Sequence, residues 1–293
     1  MLPILRAGTI RSIICDELDE MIYLDDVKKG KQLDFTIADV NEVYEGPVGH
    51  LWEMLMGEEI HVGGRKETEI LAEKTGMNRK TRVLDVCSAL GGPARHLAQK
   101  YGCSVTGLDA TSKLVYQAIL RTERMGLSDH VAFKLGNALD MPFHSGTFDV
   151  VWGQDAWCYI TDKERLIREA HRVLKPDGLI AFTDWIQTGN MSDTEWEELN
   201  TFMAFPSMET LDGYEKLLKD IGFTIVEKED LTSDFAYHCH LYQNKLRKEL
   251  KEAVVSQYGK ELYKAADEGL DKWVKAADEG KAGRGRMIGK KGR

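Results

Sequence analysis

The stretch that decides the reading is Val83-Leu84-Asp85-Val86-Cys87-Ser88-Ala89-Leu90-Gly91-Gly92. A short apolar run that passes through a carboxylate and ends in small residues reads as a buried strand, then a turn that opens a helix. At such a junction small residues let the backbone approach a ligand at the carboxyl edge of a sheet, beside a helix N-terminus. Only Gly91 and Gly92 are glycines here, so the G-x-G-x-x-G spacing is absent and a dinucleotide site of the NAD type is disfavoured.

Working outward from Arg82, short β-type runs alternate with helical periods. The pattern predicts strands over Val83 to Val86, Ser104 to Leu108, Val131 to Leu135, Asp149 to Trp152, Leu179 to Thr183 and Phe223 to Lys228. Between them it predicts helices over Gly92 to Tyr101, Ser112 to Met125, Lys163 to Leu174 and Leu211 to Ile221. Strand and helix alternating through short links point to an α/β fold, a doubly wound, mostly parallel sheet. Residues 1–80 are expected to form an N-terminal helical lid, with apolar patches at Leu18 to Leu24 and Tyr44 to Met56. Residues 81–232 form the core of the expected fold. Residues 233–293 are expected to add helices over Tyr237 to Tyr258 and Glu261 to Ala277, and a possible final strand, Arg284 to Ile288, at the sheet edge.

The strand ends carry the chemistry. Asp109 closes the second strand, where a carboxylate is placed to accept both hydroxyls of a ribose. Asn137 follows the third strand with an amide suited to an adenine edge, and Gln154-Asp155-Ala156 follows the fourth. Lys175-Pro176-Asp177-Gly178 reads as a turn between helix and strand.

In this order and at these spacings the chain resembles the class I S-adenosylmethionine-dependent methyltransferases from about Arg82 to Lys228. Tyr44 through Gly64, the Gln154-Asp155-Ala156 turn and the end with Trp273 and Gly280 to Met287 are similar to the sarcosine/dimethylglycine N-methyltransferases. The phosphoethanolamine N-methyltransferases resemble it more distantly. The resemblance implies a Rossmann-like fold, S-adenosylmethionine as cofactor and a small-molecule acceptor. Its donor-binding positions would be Asp85, Cys87, Ala89, Gly91, Asp109, Ala110, Asn137, Ala138 and Gln154. Two departures stand out. Cys87 and Ala89 replace glycines of the first motif, which predicts a slightly displaced loop. Tyr159 occupies the position of a histidine in the phosphoethanolamine enzymes, which weakens phosphoethanolamine as substrate.

Methyl transfer from a sulfonium is an in-line displacement for which a protein supplies positioning and exclusion of water. An amine nucleophile must be neutral, so its proton needs a route, and Tyr44, Asp155 and Tyr159 are the candidate catalytic residues. Trp52, Trp157, Trp185 and Trp273 are numerous enough for an aromatic cage around a methylated ammonium, although most are expected to be core. Arg284 or Arg286 is expected to clamp an acceptor carboxylate. The expected reaction is methylation of sarcosine or dimethylglycine towards betaine. S- or O-methylation of another metabolite and non-catalytic S-adenosylmethionine binding are the alternatives.

Composition narrows the partners. The chain has 293 residues, a formal charge of -9 and a basic end, residues 281–293, with six Lys and Arg and no acid. So acidic a body disfavours nucleic acid, no apolar run is long enough to span a membrane, and a monomer or homodimer is expected. Met1 to Cys15 is broken by Arg6 and Arg11, unlike a signal peptide, so a cytoplasmic location is expected. Five dispersed cysteines without a C-x-x-C pair favour reduced thiols over a disulfide framework. His238 and His240 lack an acidic partner at ligand spacing, so no metal site is expected.

Overall fold

In the computed structural model a seven-stranded sheet runs in the order β3-β2-β1-β4-β5-β7-β6. The strands are β1 (Arg82–Val86), β2 (Ser104–Asp109), β3 (Val131–Leu135), β4 (Phe148–Gln154), β5 (Leu174–Gln187), β6 (Phe223–Asp230) and β7 (Ala282–Lys291). β1 to β5 pair in parallel, and β7 is antiparallel to both β5 and β6. The structure describes residues 31–293, of which Gln32–Arg293 form one compact unit. The patch Leu18 to Leu24, Cys15 and the reading of Met1 to Cys15 lie outside the described residues.

Parallel strands covered on both faces read as continuous apolar runs, and β1 is the case in point: only Arg82 at its start is exposed. Leu84, Val151, Phe182 and Ile180 face one hydrophobic cluster, and Val83, Val105, Val150 and Trp152 face another. α4 (Gly92–Tyr101) opens directly from β1. Its N-cap Gly91 has φ +72, and a Cβ there would stand 2.3 Å from the Phe133 ring, so only glycine fits this turn. α5 (Ser112–Arg124), α6 (Lys163–Val173) and α8 (Leu211–Ile221) complete the crossovers.

Among the described residues three α-helices precede the sheet: α1 (Ile37–Glu45), α2 (Pro47–Met56) and α3 (Gly64–Thr75). Thr36 and Asp39 form a reciprocal capping box that fixes where α1 begins. α7 (Asp193–Met203), missed by the sequence reading, begins with a second capping box, Ser192 and Glu195. α9 (Thr232–Lys245), α10 (Lys251–Tyr258) and α11 (Lys260–Asp278) form the late helical layer, with one π-helical turn at Leu246–Leu250. No helix among the described residues is long and apolar enough to cross a membrane.

Two expectations are corrected. The final strand is ten residues long and lies between β5 and β6, not at the sheet edge. β5 starts at Leu174, so Lys175 to Gly178 form an irregularity within the strand's pairing to β4 and not a separate link.

Candidate functional site

A cavity of about 470 Å3 opens at the carboxyl ends of β1, β2 and β4, where ligands bind in open α/β sheets. Its floor is the β1 turn and its roof is α1. Asp109, at the end of β2, accepts the Ala89 N–H through Oδ2 at 2.8 Å and the Thr111 N–H through Oδ1 at 2.9 Å. An ionised carboxylate has about four lone-pair sites, so two remain for a ligand. Asp85 lies beneath it with Oδ2 buried and unpartnered, as is Ser88 Oγ. Burial and the neighbouring Asp109 push the Asp85 carboxyl up to about 7.

The turn between these carboxylates keeps the shape that glycine adopts freely. Cys87 has φ +63° and Ala89 has φ +45°, so the departure from glycine is met by left-handed backbone at both positions. Each such residue costs on the order of 1–2 kcal/mol. Burial, first, and the charges of Asp109 and Asp85 raise the Cys87 thiol, which stays protonated. Ala110 and Ala138 line the cavity, whereas Gly91 does not and serves as the N-cap of α4. Asn137 accepts the Leu139 N–H at 2.8 Å through Oδ1 and has no protein partner at Nδ2 among the described residues. Gln154 accepts from Thr68 Oγ1 at 2.9 Å and Trp152 Nε1 at 3.2 Å, which ties its side chain to the wall.

On the opposite wall Tyr44 and Tyr159 meet, hydroxyl to hydroxyl, at 2.9 Å, with their rings edge to face at 5.5 Å between centroids. Burial pushes both phenols well above their ordinary range, so both stay neutral. One hydrogen bond joins them, leaving one proton and free lone pairs for a bound group.

Asp155 has a structural part as well as a place at the cavity. It lines the cavity with φ +55°, but Oδ2 accepts the Val62 N–H at 2.8 Å and Oδ1 accepts Arg284 Nε at 2.8 Å. The pair with Arg284 makes it an anchor of the turn, and about two of its lone-pair sites remain, as at Asp109. Arg284 and Arg286 are a correction. Arg284 is wholly buried against Asp155 and Thr183, and Arg286 forks onto Glu67 at 2.7 and 2.9 Å and also pairs with Glu229. Both guanidinium groups are paired inside the protein and neither lines the cavity, while Arg284 Nη1 makes no hydrogen bond. The tryptophans form no cage: Trp185 and Trp273 pack edge to face with Phe205 and Phe235, and Trp157 stacks on Phe182. His238 and His240 do have acidic neighbours, Asp234 at 3.3 Å and Asp278 at 3.0 Å. Among the described residues no group of three such side chains is placed to hold a metal.

Sequence reasoning missed Phe35, Asn41, Ile60 and Thr111, all on the cavity wall. The capping box at Thr36 marks the start of α1 and is the one local signal that could have drawn attention to Asn41, five residues later. Nothing in the sequence singles out Thr111.

A methyltransferase domain family matches residues 84–182. The chain is 30% identical over 241 residues to a sarcosine/dimethylglycine N-methyltransferase of Halorhodospira halochloris, covering 76% of this chain and 85% of that protein. It is 31% identical over 204 residues to a sterol 24-C-methyltransferase of Saccharomyces cerevisiae, covering 68% of this chain and spanning about half, 53%, of that protein. Among solved structures it is similar to Haemonchus contortus phosphoethanolamine N-methyltransferase 2 in complex with phosphomonomethylethanolamine and S-adenosylhomocysteine. That match has a TM-score of 0.78 at 21% identity, over 86% of this chain and 59% of the other, and bears on the fold alone.

Proposed function

The chain belongs to the class I S-adenosylmethionine-dependent methyltransferases, and on that premise we propose that it methylates the nitrogen of a small metabolite amine. Sarcosine and dimethylglycine, leading to betaine, are the acceptors to test first. When bound, S-adenosylmethionine supplies an electrophilic methyl group on a sulfonium. The residues of the cavity suit it: Asp109 keeps lone pairs for two ribose hydroxyls, and the unpartnered Asp85 Oδ2 suits a cationic ammonium. Asn137 has a free amide nitrogen for an adenine acceptor.

The observation that carries the amine reading is the neutral hydroxyl pair of Tyr44 and Tyr159 on the cavity wall. Two protonated phenols can accept the N–H of a neutral secondary amine such as sarcosine and orient its lone pair towards the methyl without presenting a competing anion. Neutral dimethylglycine has no N–H and would be placed by the shape of the wall. The 30% identity to the sarcosine/dimethylglycine enzyme supports the same acceptor class. A carboxylate on the acceptor would have to be held by groups other than Arg284 and Arg286.

The test incubates the protein and S-adenosylmethionine separately with sarcosine, dimethylglycine, phosphoethanolamine and a panel of thiols and alcohols, reading products by mass. Methylated amine is the expected product. Methylated thiol or alcohol alone would overturn the acceptor and leave the methyltransferase intact.

A further inference from the structure

α1 is nine residues long and buries none of them fully. So short a helix is marginal in water, so its place has to come from specific contacts. Asn41, in its middle, makes two. Its Nδ2 donates to the Ala110 carbonyl at 3.4 Å, and its Oδ1 accepts from Thr111 Oγ1 at 2.8 Å. Lys113 Nζ donates to the Glu45 carbonyl at the end of the same helix.

Thr111 is the N-cap of α5, and a threonine there ordinarily turns its hydroxyl onto the first N–H groups of its own helix. No such cap bond forms; the hydroxyl turns instead to donate to Asn41. The Thr111 N–H meanwhile donates to Asp109 Oδ1 at 2.9 Å. Asn41 is thus joined through one residue to the carboxylate that suits the donor ribose. Residues three apart share a helix face, so holding Asn41 also holds Tyr44, which meets Tyr159 at 2.9 Å. Only a side chain offering both a donor and an acceptor serves both bonds; an aspartate would set an oxygen against the Ala110 carbonyl.

We propose that Asn41 is a positioning residue for methyl transfer: its bridge to Ala110 and Thr111 ties α1 to the donor site and sets Tyr44 against Tyr159. The proposal rests on reading the tyrosine pair as the acceptor contact.

The test uses the full chain with Thr111→Val, which keeps the shape and loses the hydroxyl, Thr111→Ser, which keeps the hydroxyl, Asn41→Ala, and the Thr111→Val, Asn41→Ala double variant. With S-adenosylhomocysteine bound, hydrogen exchange over residues 37–45 should quicken about tenfold in Thr111→Val and Asn41→Ala, with β1 and β2 unchanged. The double variant should be no faster than either single one, and Thr111→Ser should match the parent. Turnover of the amine found by the acceptor panel should fall about tenfold or more while S-adenosylhomocysteine affinity, by calorimetry, stays within about threefold. Unchanged exchange in both single variants, or additive effects in the double, would overturn the bridge. Loosened α1 with full turnover at saturating amine would overturn the positioning role. If the parent binds S-adenosylhomocysteine but methylates no amine, the acceptor reading falls and the proposal with it.

Discussion

Arg284 Nε stands 2.8 Å from Asp155 Oδ1, joining two wholly buried side chains 129 residues apart. Glu67 closes the group from α3, 3.5 Å from the same guanidinium. Removing one member leaves charge stranded out of water, which is costlier than the pair's own attraction is favourable. Arg284→Met should lower stability by about 3–5 kcal/mol in urea unfolding, and Asp155→Asn added to it should restore part of the loss. A loss within about 0.5 kcal/mol would mean that the pair is solvated and the buried arrangement is wrong.

Asp109→Ala removes the group that suits the ribose and also frees the Ala89 and Thr111 N–H groups. S-adenosylmethionine affinity should fall by roughly 2–3 kcal/mol, the worth of hydrogen bonds to a charged acceptor. Isothermal calorimetry on a variant with native circular dichroism checks this; equal affinity would move the ribose elsewhere.

For the tyrosine pair, Tyr44→Phe and Tyr159→Phe should each cut turnover about tenfold or more and leave donor affinity nearly unchanged. Because both phenols are pushed up by burial, neither ionises near neutrality. Turnover should therefore rise from neutral to mildly alkaline pH with the acceptor amine's own deprotonation, and the midpoint should be the same in the parent and in Tyr44→Phe. A midpoint that shifts in the variant would show that Tyr44 itself titrates.

Asp85 gives a stability profile with a definite sign. Its carboxyl is raised to about 7 when folded, against 3.8 for the unperturbed group, so the folded state binds a proton that the unfolded state has lost. The contribution is full below pH about 4 and is lost as pH rises through about 7, an effect of order a few kcal/mol. The stability of Asp85→Asn relative to the parent should accordingly improve between pH 4 and pH 7, read as the difference between their unfolding midpoints. A flat difference would place Asp85 in contact with water.

The six strands from β1 to β6 and, α7 apart, the helices between them were legible because each is a short apolar run or an amphipathic period interpretable locally. β7 was expected only as a possible short strand at the sheet edge, since Ala282-Gly283-Arg284-Gly285-Arg286 reads as a polar, glycine-rich end. It is buried because Glu67, Asp155 and Glu229, all remote in sequence, neutralise its arginines. The same remoteness hid the roles of Arg284 and Asp155, which look like surface or substrate-facing charges until they meet. Tyr44 and Tyr159 came from resemblance; their mutual bond spans 115 residues and no local pattern encodes it. Asn41 and Thr111 are ordinary polar residues whose meaning arises only where α1 crosses α5.

The central place of β7 sets an order of assembly during synthesis. Among the described residues β6 pairs with β7 alone, so the part of the sheet beyond β5 has no ladder to join there until residues 282–291 have left the ribosome. Until then the edge of β5 stays open, a template for strands of neighbouring nascent chains. Slowing translation across the last helix should therefore lower soluble yield, whereas slowing it across β1 should not.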